Sequence, residues 1–74
     1  MVIEISDVLL QGTNLESPIQ VALPAPITIR EVMIELGIQH MGYGTYFVNG
    51  QLKKLEDLVE DQDTLMVLPI FGGG

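Results

Sequence analysis

The chain contains no cysteine, and only 3 lysines and arginines stand against 10 aspartates and glutamates. Without cysteine there is no disulfide framework, no thiolate nucleophile and no sulfur-ligated zinc. The same absence fits a cytoplasmic protein. Arg30, Lys53 and Lys54 are the whole cationic inventory, and the formal net charge is −7. No basic stripe exists to displace counterions from phosphates, which argues against a nucleic-acid partner. No run approaches the roughly 20 apolar residues of a membrane span, and no basic segment followed by an apolar stretch marks a signal peptide. His40 is the only histidine. With no cysteine or second histidine beside it, it reads as a solvated loop residue, and no metal site is expected.

What is present is apolar. Hydrophobic residues make up 47% of the 74, a high share for a chain that can bury only about 60% of its unfolded surface. One domain fits in this length, held by its apolar core or by a partner. Some of the apolar side chains must stay exposed, and an exposed patch on an acidic protein points to a protein partner.

Along the chain, Val2 to Leu10 reads as a strand, with Ile3 and Ile5 opposing Glu4 and Ser6. Turn residues Gln11 to Asn14 follow, then a second strand in which Ile19, Val21 and Leu23 alternate with Gln20 and Ala22. These two segments are expected to form a hairpin, ended by Pro24 and Pro26. Thr28 and Glu31 have capping-box spacing, and Ile27 and Val32 have the spacing of a hydrophobic staple. Ile29, Val32, Met33 and Leu36 form one helical face, and Gly37 supplies a C-terminal stop with Ile38 folding back on Met33. The helix spans Ile29 to Leu36, with Ile34 on its far side.

Gln39 to Thr45 reads as a loop and Tyr46 to Val48 as a strand, and Asn49-Gly50 is a strong hairpin turn into Gln51 and Leu52. Leu55 to Leu58 is read as one helical turn. Thr64 to Ile70 is the last strand, apolar on both faces, and such a strand belongs in the middle of a sheet. The order strand, strand, helix, strand, strand, strand, with the first and last strands parallel neighbours, is a β-grasp. The predicted class is α+β, a mixed sheet of four to five strands crossed by one short helix. Residues 1–71 are the expected domain and 72–74 a flexible glycine tail.

The last 27 residues of this sequence are the most specific. Val48-Asn49-Gly50, the acidic segment Leu58 to Asp63, the apolar run Leu65 to Phe71 and Gly72-Gly73-Gly74 together resemble the ubiquitin-like sulfur carriers of the MoaD/ThiS family. That family includes the small subunit of molybdopterin synthase and the sulfur carrier of thiamin biosynthesis. Gln62 departs from the glycine common at the family's acidic turn, and Gly72 lengthens the terminal glycine pair.

The resemblance implies that the α-carboxylate of Gly74 is the reacting group. A ubiquitin-activating-type adenylyltransferase would adenylate it with Mg-ATP, and sulfur would replace AMP to leave a thiocarboxylate. That sulfur would pass to a sulfur-accepting synthase subunit. The chain would then be a carrier or small non-catalytic subunit, not an enzyme, with no cofactor of its own and no catalytic side chain. Gly72 and Gly73, lacking Cβ atoms, suit a segment threaded into a narrow channel of a partner. The alternative for the glycines is an ordinary chain end. Pro69 resembles the molybdopterin branch and the short helix the thiamin branch, so the acceptor stays open.

Strand alternation puts Leu65 and Val67 on one face and Met66, Leu68 and Ile70 on the other. By comparison with ubiquitin-like folds, Met66, Leu68, Ile70 and Phe71 would form a docking patch beside the tail, unless a loop or second copy covers them. The acidic residues from Glu56 to Asp63 fit either a basic partner surface or a solvated loop. Two other functions share this sequence. One is a protein modifier conjugated through Gly74, with Lys53 and Lys54 as possible acceptors. The other is a β-grasp interaction module that is never activated.

Overall fold

One strand, hydrogen-bonded along both edges, organises the molecule. The computed structural model describes residues 1–70. In chain order they form β1 (Val2–Ile5), β2 (Ile19–Gln20), β3 (Ile27–Thr28), α1 (Ile29–Glu35), β4 (Gly44–Val48), β5 (Gln51–Lys53), β6 (Leu58–Val59) and β7 (Thr64–Pro69). Five strands make a mixed sheet in the order β2-β1-β7-β4-β5, and β3 and β6 make a separate two-stranded ladder. Central β7 runs parallel to β1, with Ile3 opposite Leu65, and antiparallel to β4, with Tyr46 opposite Val67. The parallel pairing of first and last strands is the one expected from the two-sided apolar run. The architecture is an α+β β-grasp. The predicted domain boundary after residue 71 lies outside the described residues.

The inward residues of β1 and β7 (Ile3, Ile5, Leu65 and Val67) join Ile29, Val32 and Met33 of α1 and Tyr46 and Val48 of β4 in one core. Among the described residues, no buried side chain is polar or charged. The helix is anchored at both ends by the groups its sequence supplies. Thr28 Oγ1 accepts from the Glu31 N–H at 3.1 Å. Its hydroxyl donates to Glu31 Oε1 at 3.1 Å, so the carboxylate closes the box through the Thr28 side chain. The N–H groups of Ile29 and Arg30 donate to the carbonyls of Asp57 and Leu55 at 3.0 and 2.9 Å. The first three orphan donors of the helix are thus satisfied. At the other end Gly37 takes φ +76°. Ile38 N–H bonds the Met33 carbonyl and Gly37 N–H that of Ile34, each at 3.0 Å, a Schellman pair. Ile34 is exposed, as its place on the far side of the helix predicts.

Four sequence expectations are corrected. The first strand ends at Ile5, and Asp7–Leu10 forms a 3-10 turn that drops Leu9 and Leu10 into the core. β1 and β2 do pair antiparallel, with Ile3 opposite Ile19, but across this excursion and over only two residues of β2. β4 begins two residues before the predicted Tyr46, at Gly44. A Cβ at position 44 would lie 2.9 Å from the Tyr46 hydroxyl, so glycine lets the buried ring pass under the strand. Finally, Leu58–Val59 is a strand on β3 and not the end of a helical turn.

Candidate functional site

Because β7 alternates, Leu65 and Val67 are buried while Met66, Leu68 and Ile70 are exposed. The outward face of the central strand is therefore apolar and uncovered at Met66, Leu68 and Ile70. The register extends it sideways. Met66 lies opposite Phe47 on β4 and Glu4 on β1, and Phe47 lies opposite Leu52 on β5. One row across the sheet thus reads Glu4, Met66, Phe47, Leu52, and Leu68 sits beside it opposite Thr45. Leu52 is the most exposed large apolar residue described, at 69%. A hollow of about 320 Å³ opens between Phe47, Met66 and Leu68.

Phe47 and Leu52 belong to this face and were missed in the sequence. Their signal was available: Tyr46 and Val48 face inward, so Phe47 between them faces out. The two-residue Asn-Gly turn, with φ +51° and +82°, then fixes Leu52 as its cross-strand neighbour. Leu68 and Ile70 lead toward the chain end, and the Ile70 N–H donates to the Tyr43 carbonyl at 2.7 Å. Phe71, Gly72, Gly73 and Gly74 lie outside the described residues, and so does the predicted reacting carboxylate.

The acidic residues near β7 have structural duties. Asn49 Nδ2 donates to Asp63 Oδ1 at 2.9 Å, and Asn49 Oδ1 accepts from the Thr64 N–H at 3.0 Å. Asp63 Oδ2 accepts from the Glu60 N–H at 2.8 Å. The Asn-Gly hairpin is thereby clasped to the turn that starts β7. Asp57 Oδ2 accepts from the Lys54 N–H at 2.8 Å. Asp61 Oδ1 accepts from the Leu23 N–H at 2.9 Å and lies 3.4 Å from the Met1 amino group. The Leu23 N–H, followed by the amino group, holds the Asp61 carboxyl below the usual carboxylate range. Arg30 holds Glu56 at 2.6 Å, and this bond lowers the Glu56 pKa in turn. Burial pushes the Tyr46 phenol up, against a smaller opposing pull from Arg30. Its hydroxyl donates to the Met41 carbonyl.

Among the described residues no three His, Cys, Asp or Glu side chains converge as metal ligands do. His40 is exposed, with its ring centroid 6.1 Å from that of Tyr43. No helix among the described residues is long and apolar enough to cross a membrane.

The chain matches no family model and no curated protein. It does match solved structures. The crystal structure of a thiamine biosynthesis protein (ThiS) from Geobacter metallireducens superposes with a TM-score of 0.64 at 22% identity, covering 100% of both chains. A solution NMR structure of a thiamine biosynthesis protein from the same organism gives a TM-score of 0.55 at 23% identity, covering 100% of this chain and 88% of that one. The likeness covers the length of the chain and agrees with the β-grasp fold expected from the sequence. This chain has the ubiquitin-like β-grasp fold of those ThiS structures.

Proposed function

We propose that this chain is a sulfur carrier of the MoaD/ThiS type. The observation that carries the reading is the position of β7. A single central strand bears an exposed apolar face, and in the sequence it is followed, after Ile70, by Phe71-Gly72-Gly73-Gly74. Docking on that face and delivery of the tail are then one event. A partner that covers Met66, Leu68, Ile70, Phe47 and Leu52 would have the chain end within its reach, four residues beyond Ile70.

In this reading the Gly74 carboxylate attacks the α-phosphorus of Mg-ATP in an adenylyltransferase, and pyrophosphate leaves. A sulfur nucleophile then displaces AMP from the acyl carbon, producing the thiocarboxylate. Gly72 and Gly73 admit the tail to the partner's channel. The ATP and every catalytic side chain belong to the partners, in the cytoplasm, and the carrier supplies a carboxylate and a docking surface. Thiamin-type synthesis is favoured over molybdopterin as the destination, because the neighbour, solved both by crystallography and by NMR, is described as a thiamine biosynthesis protein.

The test is the intact mass of protein from its own host, purified without reductant or alkylating agent. Sulfur for oxygen adds about 16 Da, nearly the same as methionine oxidation, so fragment ions must place the change at Gly74. An unmodified Gly74 after incubation with ATP, sulfide and the host's activating enzymes would overturn the proposal. A Gly74–lysine isopeptide in place of the thiocarboxylate would establish the modifier reading instead.

A further inference from the structure

A second apolar hollow lies around the edge of the sheet from the docking face. It is a groove of about 480 Å³ whose walls include Leu52, Lys53, Lys54, Leu55, Asp57 and Ile70. It follows the part of β4 that β5 leaves uncovered, since β5 pairs only with Tyr46, Phe47 and Val48. We propose that this groove holds the chain's own C-terminal segment when no partner is bound, with the Phe71 ring against Leu52 and Leu55 and the Gly74 carboxylate beside the ammonium groups of Lys53 and Lys54.

Three observations select this occupant. Ile70 is itself part of the groove wall, so the next residue starts at its mouth. The four residues 71–74 span at most about 14 Å when extended, so the carboxylate is confined to surfaces this close to Ile70. The third observation is charge. On a chain of net charge −7, an added carboxylate is repelled from most of the surface. Arg30 is committed to Glu56, and among the described residues Lys53 and Lys54 are the lysine or arginine side chains in no ion pair. Asp57, the one acid in the wall, has an oxygen occupied by the Lys54 N–H. Tethering does the rest, because a short linker holds its end at an effective concentration of about millimolar, enough to populate a weak contact.

The segment would therefore have two alternative seats, its own groove and the partner's channel, and partner binding would shift it between them. The proposal takes from the sulfur-carrier reading only the free carboxylate at Gly74, and its test reads different atoms. NMR of the full-length protein, labelled at methyl and aromatic groups, should show nuclear Overhauser contacts from the Phe71 ring to the Leu52 and Leu55 methyls. Backbone order parameters of Gly72 to Gly74 should lie above the value of about 0.6 that marks a free segment. In the double variant Lys53→Gln with Lys54→Gln they should fall below it, and in Phe71→Ala the Leu52 amide resonance should shift. Absence of ring contacts with low order parameters in the parent protein would overturn the proposal. So would contacts seen only between differently labelled copies, which would make the occupant a second molecule's tail. Sulfur found or not found at Gly74 leaves either outcome intact.

Discussion

Asn49 connects two turns that are far apart in the sequence. It occupies the left-handed φ that the hairpin needs, and its amide uses both ends to hold the start of β7. Asn49→Ala removes both hydrogen bonds and should lower stability by about 1–2 kcal/mol, read as a shift in the urea midpoint at unchanged slope. Asp61 ties the turn before β7 to the segment after β2. Its pKa is lowered in the folded state, so its contribution is present above the unfolded-state value and is lost as pH falls through the lowered one. Asp61→Asn should be less stable than the parent at neutral pH, and the difference should vanish in acid. A difference that persists at the lowest pH where both still fold would refute this role. These contacts explain why the acidic cluster was ambiguous in the sequence. Whether an aspartate caps a turn or faces a partner depends on which loops converge, and loop convergence leaves no periodic signal.

The elements divide by the range of the forces that make them. The helix was legible because its cap, apolar face and glycine stop all lie within 11 residues, Thr28 to Ile38. Thr28→Ala should cost about 1 kcal/mol of stability. An unchanged unfolding midpoint would count against the cap geometry. The Asn-Gly hairpin was legible for the same local reason. The β3–β6 ladder was not, because two-residue strands carry no alternation and exist only where distant segments meet. Leu9 and Leu10 misled in another way. A run of branched and apolar residues suits a strand as well as a 3-10 turn, and burial of both leucines decided for the turn. Gly44 shows a tertiary demand on one backbone position. Gly44→Ala should destabilise the protein more than an exposed substitution does, since the nearest atom belongs to a tyrosine pinned by the Met41 carbonyl. Equal unfolding midpoints for parent and variant would show that the ring can move aside.

For the molecule as a whole, the two-sided apolar character of β7 correctly indicated a central strand, though for half the expected reason. One side is buried in the core, and the other lies outward in a row with half-buried Phe47 and exposed Leu52. Replacing Leu52 and Leu68 together by glutamine should leave stability within about 0.5 kcal/mol for each site, as for ordinary surface changes. Under the sulfur-carrier proposal, the same variant should lose at least tenfold in the rate of Gly74 adenylation by the host's activating enzyme, measured as ATP–pyrophosphate exchange. An unchanged exchange rate would move the docking surface elsewhere.

The setting of β7 between two neighbours also has a mechanical side. A pull applied at the C-terminal end of β7 in the direction of the strand acts along its axis. The bonds to β1 and β4 lie across that axis, so they are loaded together and in shear, and none can open ahead of the rest. Leu65 and Val67 would also have to slide through the packed core. The folded domain would therefore act as a stop: a pull at the C-terminal end of β7 would not draw the strand out ahead of its neighbours.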